Sequence, residues 1–302
     1  LFRSMFRKVM ATLLALVLVL AASLTCAQAE SYTIGFAVST LENPFFVTMK
    51  DAAVAKAAEL GVELVVLDAQ DSAETQASQV EDFITRGVDL LIINPVDSDA
   101  IGTSVMACNE ANIPVITVTR ASNAGTVVQH LDIDNKEAGR LDAEQLLKDL
   151  DGKGKVAILE GIAGSSSAIE REEGFVDALK GSEVEVVTSL TANYSREEGA
   201  TVTEDILQSN PELDAIYAHN DEMALGAVRA VAAAGRSAEI KIYGIDATDD
   251  ALVAVENGEM AATVQQQPDL QIETALENAI KYLGGETLEP LVNIPLKLIV
   301  KE

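Results

Sequence analysis

Val62-Glu-Leu-Val-Val-Leu-Asp68, a helical pattern from Ala73 to Arg86, and Leu90-Leu-Ile-Ile-Asn94 decide the fold. Leu64 to Leu67 and Leu90 to Ile93 are unbroken runs of apolar residues, too short for helices. Such runs are strands covered on both faces, as in parallel sheets. Working outward, a strand is expected over Tyr32 to Val38 and a helix over Pro44 to Leu60. A helix near Ser98 to Ala111 and a strand over Val115 to Thr119 complete a βαβαβαβ series. Asn43 before Pro44, and Gly61 after Leu60, mark the two ends of the first helix.

The pattern then restarts. Val127 to Ile133 reads as a strand and Lys136 to Leu150 as a helix. The polar, Gly-rich Asp151-Gly-Lys-Gly154 leads into a strand at Val156 to Leu159. A helix near Ala168 to Lys180, a strand Val184 to Leu190, a helix Arg196 to Ser209 and a strand Ala215 to Ala218 follow. Next come a helix Glu222 to Ala234 and the strands Ile240 to Ile245 and Ala262 to Gln265. A helix Asp269 to Leu283 and a strand Leu296 to Val300 close the chain. Strict alternation predicts an α/β protein of two doubly wound parallel-sheet lobes. With no low-complexity linker between them, several short crossovers are expected instead of a single tether.

The N-terminus has the form of a secretory leader. Arg3, Arg7 and Lys8 precede an apolar run from Val9 to Ala22, and the stretch ends Ala27-Gln-Ala29. A basic head, a short apolar segment and an Ala-x-Ala end predict residues 1–29 as a signal peptide cleaved after Ala29. A lipid anchor on Cys26 is the rival, but Thr25 and Ser23 sit where small and leucine residues are wanted. The expected location is therefore the periplasm. After cleavage only Cys108 remains, so the exported fold has no internal disulfide, and Cys108 is expected as a small buried residue. The whole chain carries a formal net charge of −27, and the leader contributes only positive charges. Such a surface repels phosphate-rich partners, which excludes nucleic acid as a target.

Signatures of catalysis are missing. His130 and His219 are far apart and each adjoins a strand pattern, which suits structural roles. There is no Cys-x-x-Cys or His-Glu-x-x-His, so no metal or other cofactor is expected. Gly161-Ile-Ala-Gly-Ser165 lacks the glycine spacing of a nucleophile elbow. Gly152-Lys-Gly-Lys155 precedes a strand, which excludes a Walker loop and a dinucleotide fingerprint. A binding protein is expected, and not an enzyme.

Ligands of open α/β sheets bind beyond the carboxyl ends of strands. Those ends carry Asn43, Asn94 and Arg120 in the first lobe, and Asn220, Asp246 and Gln266 in the second. Amides, a guanidinium and a carboxylate together suit a neutral ligand with many hydroxyls. Phe45 and Phe46 offer apolar faces beside Asn43. Asn43, Asn220 and Asp246 are equally suited to capping the helices that follow. Taken singly, these residues leave both roles open.

At these positions the sequence resembles periplasmic D-ribose-binding proteins, the substrate-binding subunits of ABC sugar importers. The likeness is carried by Ser39-Thr-Leu-Glu-Asn-Pro-Phe-Phe46, Ile92-Ile-Asn-Pro-Val-Asp-Ser-Asp-Ala100, Ile113-Pro-Val-Ile-Thr117, Gly161-Ile-Ala-Gly164, Asn220-Asp-Glu-Met-Ala-Leu-Gly226 and Ala262-Thr-Val-Gln-Gln-Gln-Pro268. The resemblance implies a type I periplasmic binding protein with a multi-strand hinge. Residues 30–133 and 267–294 would form one lobe, and 134–266 and 295–302 the other. It implies stacking of a monosaccharide between Phe45, Phe46 and Tyr194. Hydrogen bonds would come from Asn43, Asn94, Arg120, Arg171, Asn220, Asp246 and Gln266, with Ile162 on the wall. It also implies a monomer partnered by an ABC permease, the alternative being a sensor that presents its sugar to a chemoreceptor or membrane kinase. Two positions depart from the family. Thr119 stands where ribose binders carry Asp, and Ile133 where they carry Ser; either Thr119 accepts the same hydrogen bond through its hydroxyl and ribose is the ligand, or a related sugar binds better.

Overall fold

The computed structural model describes residues 32–301; the leader reading, with Cys26 and Ala29, lies outside them. The described residues form two six-stranded sheets. The first has the order β11-β5-β4-β3-β1-β2, from β1 (Thr33–Val38), β2 (Glu63–Asp68), β3 (Leu90–Ile93), β4 (Val115–Val118), β5 (Gln129–Asp132) and β11 (Leu291–Asn293). The second has the order β12-β10-β9-β8-β6-β7. Its strands are β6 (Lys153–Glu160), β7 (Glu183–Thr191), β8 (Ala215–Ala218), β9 (Lys241–Asp246), β10 (Ala262–Gln265) and β12 (Lys297–Val300). Every pairing is parallel except β10 with β12.

Helices cover both faces of each sheet, which is why the central strands read as unbroken apolar runs. In the first lobe Ile34, Phe36 and Val38 pack with α1 (Pro44–Leu60) and α9 (Pro268–Leu283) through Met49, Ile272 and Leu276. On the other face, Ala37, Leu91 and Ile93 meet Phe83 of α2 (Ala73–Arg86) and Val105 and Cys108 of α3 (Ile101–Glu110). Cys108 is free, and burial pushes its thiol up to about 11. The second lobe repeats the plan. Ile158, Tyr217 and Ile245 pack on α4 (Asn135–Asp149) and α5 (Ser166–Ala178). Leu159, Ile216 and Ile242 share a core with residues of α6 (Arg196–Ser209), α7 (Asp221–Ala233) and α8 (Asp249–Asn257).

The chain passes between the sheets three times: from β5 to α4, from β10 to α9, and from β11 to β12. The lobes also touch away from these crossings. Ser98 N–H donates to the Gly164 carbonyl at 3.1 Å, Ser166 N–H to Ser98 Oγ at 3.2 Å, and Ala121 N–H to Ser166 Oγ at 3.0 Å.

Three elements differ from the sequence reading. The nine-residue α8 and the three-residue β11 were not expected. The first is short and rich in valine, and the second is a single edge strand at the limit of any periodicity signal. Helix α3 begins at Ile101 and not near Ser98, because Asp97 Oδ1 accepts from the amides of Asp99 and Ala100 in the preceding turn.

Candidate ligand-binding cleft between the lobes

Strand ends of both sheets converge on one narrow space of about 20 Å³. Its walls include Asn43, Phe45, Phe46, Thr119 and Arg120 from the first lobe. Ser167, Arg171, Tyr194, Asn220, Asp246 and Gln266 face them from the second lobe and the β10–α9 crossing.

Each wall residue is held by its own local chemistry. Asn43 caps α1, its Oδ1 accepting the Phe45 N–H at 2.9 Å, while Pro44 supplies the fixed φ that suits a first helical position. Capping uses only the carbonyl oxygen, so the amide nitrogen remains for the cleft. Phe45 and Phe46 follow on the first turn, edge to face at 89° with centroids 5.1 Å apart. Asn220 likewise caps α7 by accepting the Met223 N–H at 3.0 Å. For these two asparagines the capping and lining positions coincide. Asp246 is not a cap; Thr248 holds that place before α8. Asp246 instead accepts a hydrogen bond from Gln266 Nε2.

Two arginines are buried in the walls: Arg120 is 3% exposed and Arg171 is 2% exposed. Arg120 Nη1 donates to the Pro95 carbonyl at 3.0 Å, and its guanidinium lies 5.6 Å from the Phe46 ring centroid. Burial lowers its pKa, but a guanidinium stays charged in any ordinary buffer. Arg171 projects from α5, where Nε donates to Asn135 Oδ1 at 2.9 Å and Nη1 to the His219 carbonyl at 2.6 Å. Its depth follows from the approach of α4 to α5. A Cβ at Gly139 would stand 2.1 Å from the Arg171 carbonyl, so only glycine permits this spacing.

Tyr194 comes from the loop after β7, with φ at 59°, and its hydroxyl bonds Ser167 Oγ at 3.0 Å and Ser165 Oγ at 3.3 Å. Its ring lies against Gly161, where an added Cβ would sit 2.0 Å from a ring carbon. Thr119 and Asp246 also have positive φ, at 67° and 138°. Such backbone costs on the order of 1–3 kcal/mol per residue, and three cases around one space mark it as a site.

Unpaired polar atoms point the same way. Arg120 Nε and Gln266 Oε1 are buried with no hydrogen-bond partner. A donor and an acceptor left unsatisfied at one cleft are what a hydroxyl-bearing ligand would complete. Burial, with Asp221 adding repulsion, raises the Asp246 carboxyl above its usual range, while Arg171 and Gln266 oppose that shift. Asp221 is held at about 6 by burial. His219, fully buried, is depressed to about 3 by burial and by Arg171, so it is neutral and accepts the Gly161 N–H at 3.3 Å.

Three expected site residues stand apart from this lining. Asn94 is fully buried, with Oδ1 accepting the Ser39 N–H at 3.3 Å and Nδ2 donating to the Val118 carbonyl at 3.1 Å. It knits the ends of β1 and β4. Ile133 belongs to the core cluster beneath α4, and Ile162 packs against the core of Leu159 and Ile216. Ser167 and Asn135 escaped the sequence reading. Asn135 opens α4 three residues after β5, within reach of the strand-end rule, whereas Ser167 lies in the first turn of α5, seven residues beyond β6, and has no such signal.

Residues 34–287 match a family described as the periplasmic binding protein domain. The ribose import binding protein RbsB of Haemophilus influenzae is 46% identical over 267 residues, 88% of this chain and 91% of that protein. RbsB of Escherichia coli is 42% identical, covering 98% of this chain and 99% of its own. An ABC transporter periplasmic solute binding protein from Actinobacillus succinogenes, solved with bound D-allose, superposes with a TM-score of 0.85. It is 31% identical and covers 90% of this chain and 98% of its own. The chain belongs to the periplasmic binding protein family, with the type I fold of two α/β lobes.

Proposed function

We propose that this protein captures a monosaccharide between its lobes and delivers it to an ABC permease. The observation that carries the reading is the pair of unsatisfied buried atoms, Arg120 Nε and Gln266 Oε1, at a cleft walled by Phe45, Phe46 and Tyr194. Relatives named for ribose import and a neighbour holding D-allose support a sugar as the ligand class.

The space of about 20 Å³ holds roughly one water, so a sugar enters only when the lobes part. The moving bodies are the first sheet with α1 to α3 and α9, and the second sheet with α4 to α8. They swing about the three crossings and close on the ligand. On closure the sugar's C–H face meets the aromatic rings, while its hydroxyls accept from Arg120 and Arg171 and donate to Asp246. Each charge-assisted bond contributes on the order of 1.5–3 kcal/mol.

No chemistry is performed on the sugar. Mass spectrometry of the small molecule released by denaturing protein from its native host tests this. An unaltered monosaccharide at one per chain is expected; a cleaved or oxidised product would reveal catalysis. Export follows from the leader, and no described helix is long and apolar enough to cross a membrane. Intact mass of the exported protein should place Glu30 at its N-terminus, and a lipid on Cys26 would contradict that cleavage.

A further inference from the structure

Gln271 lies outside the cleft lining, on the first turns of α9, and is fully buried. Its side chain bridges two parts of the site. Oε1 accepts from the Thr119 hydroxyl at 3.1 Å, and Nε2 donates to the Gln266 carbonyl at 3.1 Å. Thr119 ends β4 on the first-lobe wall. Gln266 sits in the β10–α9 crossing, and its own Nε2 reaches Asp246 on the second-lobe wall. The next residue, Gln267, has φ at 55° and donates Nε2 to the Pro295 carbonyl at 2.8 Å in the β11–β12 crossing. The Gln271 amide thus ties a cleft wall to the β10–α9 crossing, and the neighbouring Gln267 ties that crossing to the β11–β12 one.

We infer that Gln271 is a positioning residue that couples occupancy of the cleft to the crossings about which the lobes move. The inference rests on the sugar-binding reading above. Its chemistry is specific. Because Oε1 can only accept, Gln271 turns the Thr119 proton away from the cleft and leaves the hydroxyl's lone pairs to receive a hydrogen bond from a sugar hydroxyl. Because Nε2 can only donate, Gln271 holds the Gln266 carbonyl while that residue's side chain faces the ligand. A ligand that pulls on Thr119 or Gln266 therefore shifts a hydrogen bond at the crossing, in a buried network where bonds are mutually dependent.

The test is a double-mutant cycle of Thr119→Val and Gln271→Leu, read by calorimetric affinity for the tightest binder among D-ribose, D-allose and myo-inositol. Gln271→Leu alone should weaken binding about 10-fold, the worth of two neutral hydrogen bonds. The double variant should be little weaker than either single one, because both changes break one chain of bonds. Gln271→Glu keeps the acceptor for Thr119 and should recover part of the loss. Additive effects, or an affinity unchanged in Gln271→Leu, would overturn the inference while leaving sugar binding intact. Sugar-free hydrogen exchange gives a second reading that needs no ligand. Gln271→Leu should speed exchange at residues 119–121 and 265–267 together. Faster exchange confined to α9 would also overturn it. Failure of the wild type to bind any of the sugars, with the exchange result as expected, would count against the functional reading alone.

Discussion

The guanidinium carbon of Arg120 lies 5.1 Å from the ring centroid of Tyr194, so a cation of one lobe rests against an aromatic face of the other. Cation and ring come from different sheets, and this contact exists only while the lobes are close. A sugar entering here exchanges a cation–π contact, worth on the order of 0.5–2 kcal/mol, for ring stacking and hydrogen bonds. Arg120 is therefore both a lobe-to-lobe contact and a ligand donor.

Arg120→Ala and Arg171→Ala should each remove sugar binding from a calorimetric titration, with the far-ultraviolet dichroism of the wild type retained. Each deletes a charge-assisted donor, a loss of about 10–150-fold in affinity. Arg171→Ala should be the more destabilising, because it also frees Asn135 Oδ1 and the His219 carbonyl inside the lobe. Near-wild-type titrations for both variants would place the site elsewhere.

How far the site was legible depended on where each residue sat. Asn43, Arg120, Asn220, Asp246 and Gln266 follow strands, so the strand-end rule exposed them, although it could not tell capping from binding. Asn94 obeys the same rule, yet β3 lies between β1 and β4 and its end is enclosed by theirs, so backbone groups take up the amide. Arg171 is flanked by Glu170, Glu172 and Glu173 and reads as a surface charge. Its burial depends on glycine-mediated helix contact that no local pattern encodes. The lobes themselves were legible because parallel strands covered on both faces produce unbroken apolar runs. The short α8 and β11 produce no such signal.

Asp142 supplies a pH prediction. It is fully buried in α4, neither oxygen has a hydrogen-bond partner, and burial with Asp221 nearby raises its pKa well above the usual range, Arg171 opposing. A raised carboxyl pKa means the folded state binds the proton more tightly than the unfolded chain. Its stability contribution is complete below about pH 4, the unfolded value, and is lost as pH climbs toward the folded value. Asp142→Asn removes this loss. The melting temperature of the variant should match the wild type near pH 4 and exceed it by a widening margin toward pH 8. A constant difference across that range would show that Asp142 does not titrate in this way.

Specificity is testable at the two positions that depart from ribose binders. Thr119 lines the cleft, whereas Ile133 lies in the second-lobe core, 3% exposed. Thr119→Asp should shift the order of preference across a sugar panel toward ribose by supplying a carboxylate acceptor. Ile133→Ser should chiefly lower thermal stability by about 2–4 kcal/mol, through lost apolar burial and an unsatisfied hydroxyl. Calorimetry and thermal melts separate the effects. If wild type already binds ribose tighter than every other sugar, and Thr119→Asp gains nothing, the altered-specificity idea is wrong.

Calorimetric titration of the mature protein with a panel of pentoses, hexoses and cyclitols tests capture of a sugar between the lobes most directly. At least one member should bind at one per chain, and Arg171→Ala should abolish that binding. A panel in which nothing binds, or binding indifferent to Arg171→Ala, would contradict it.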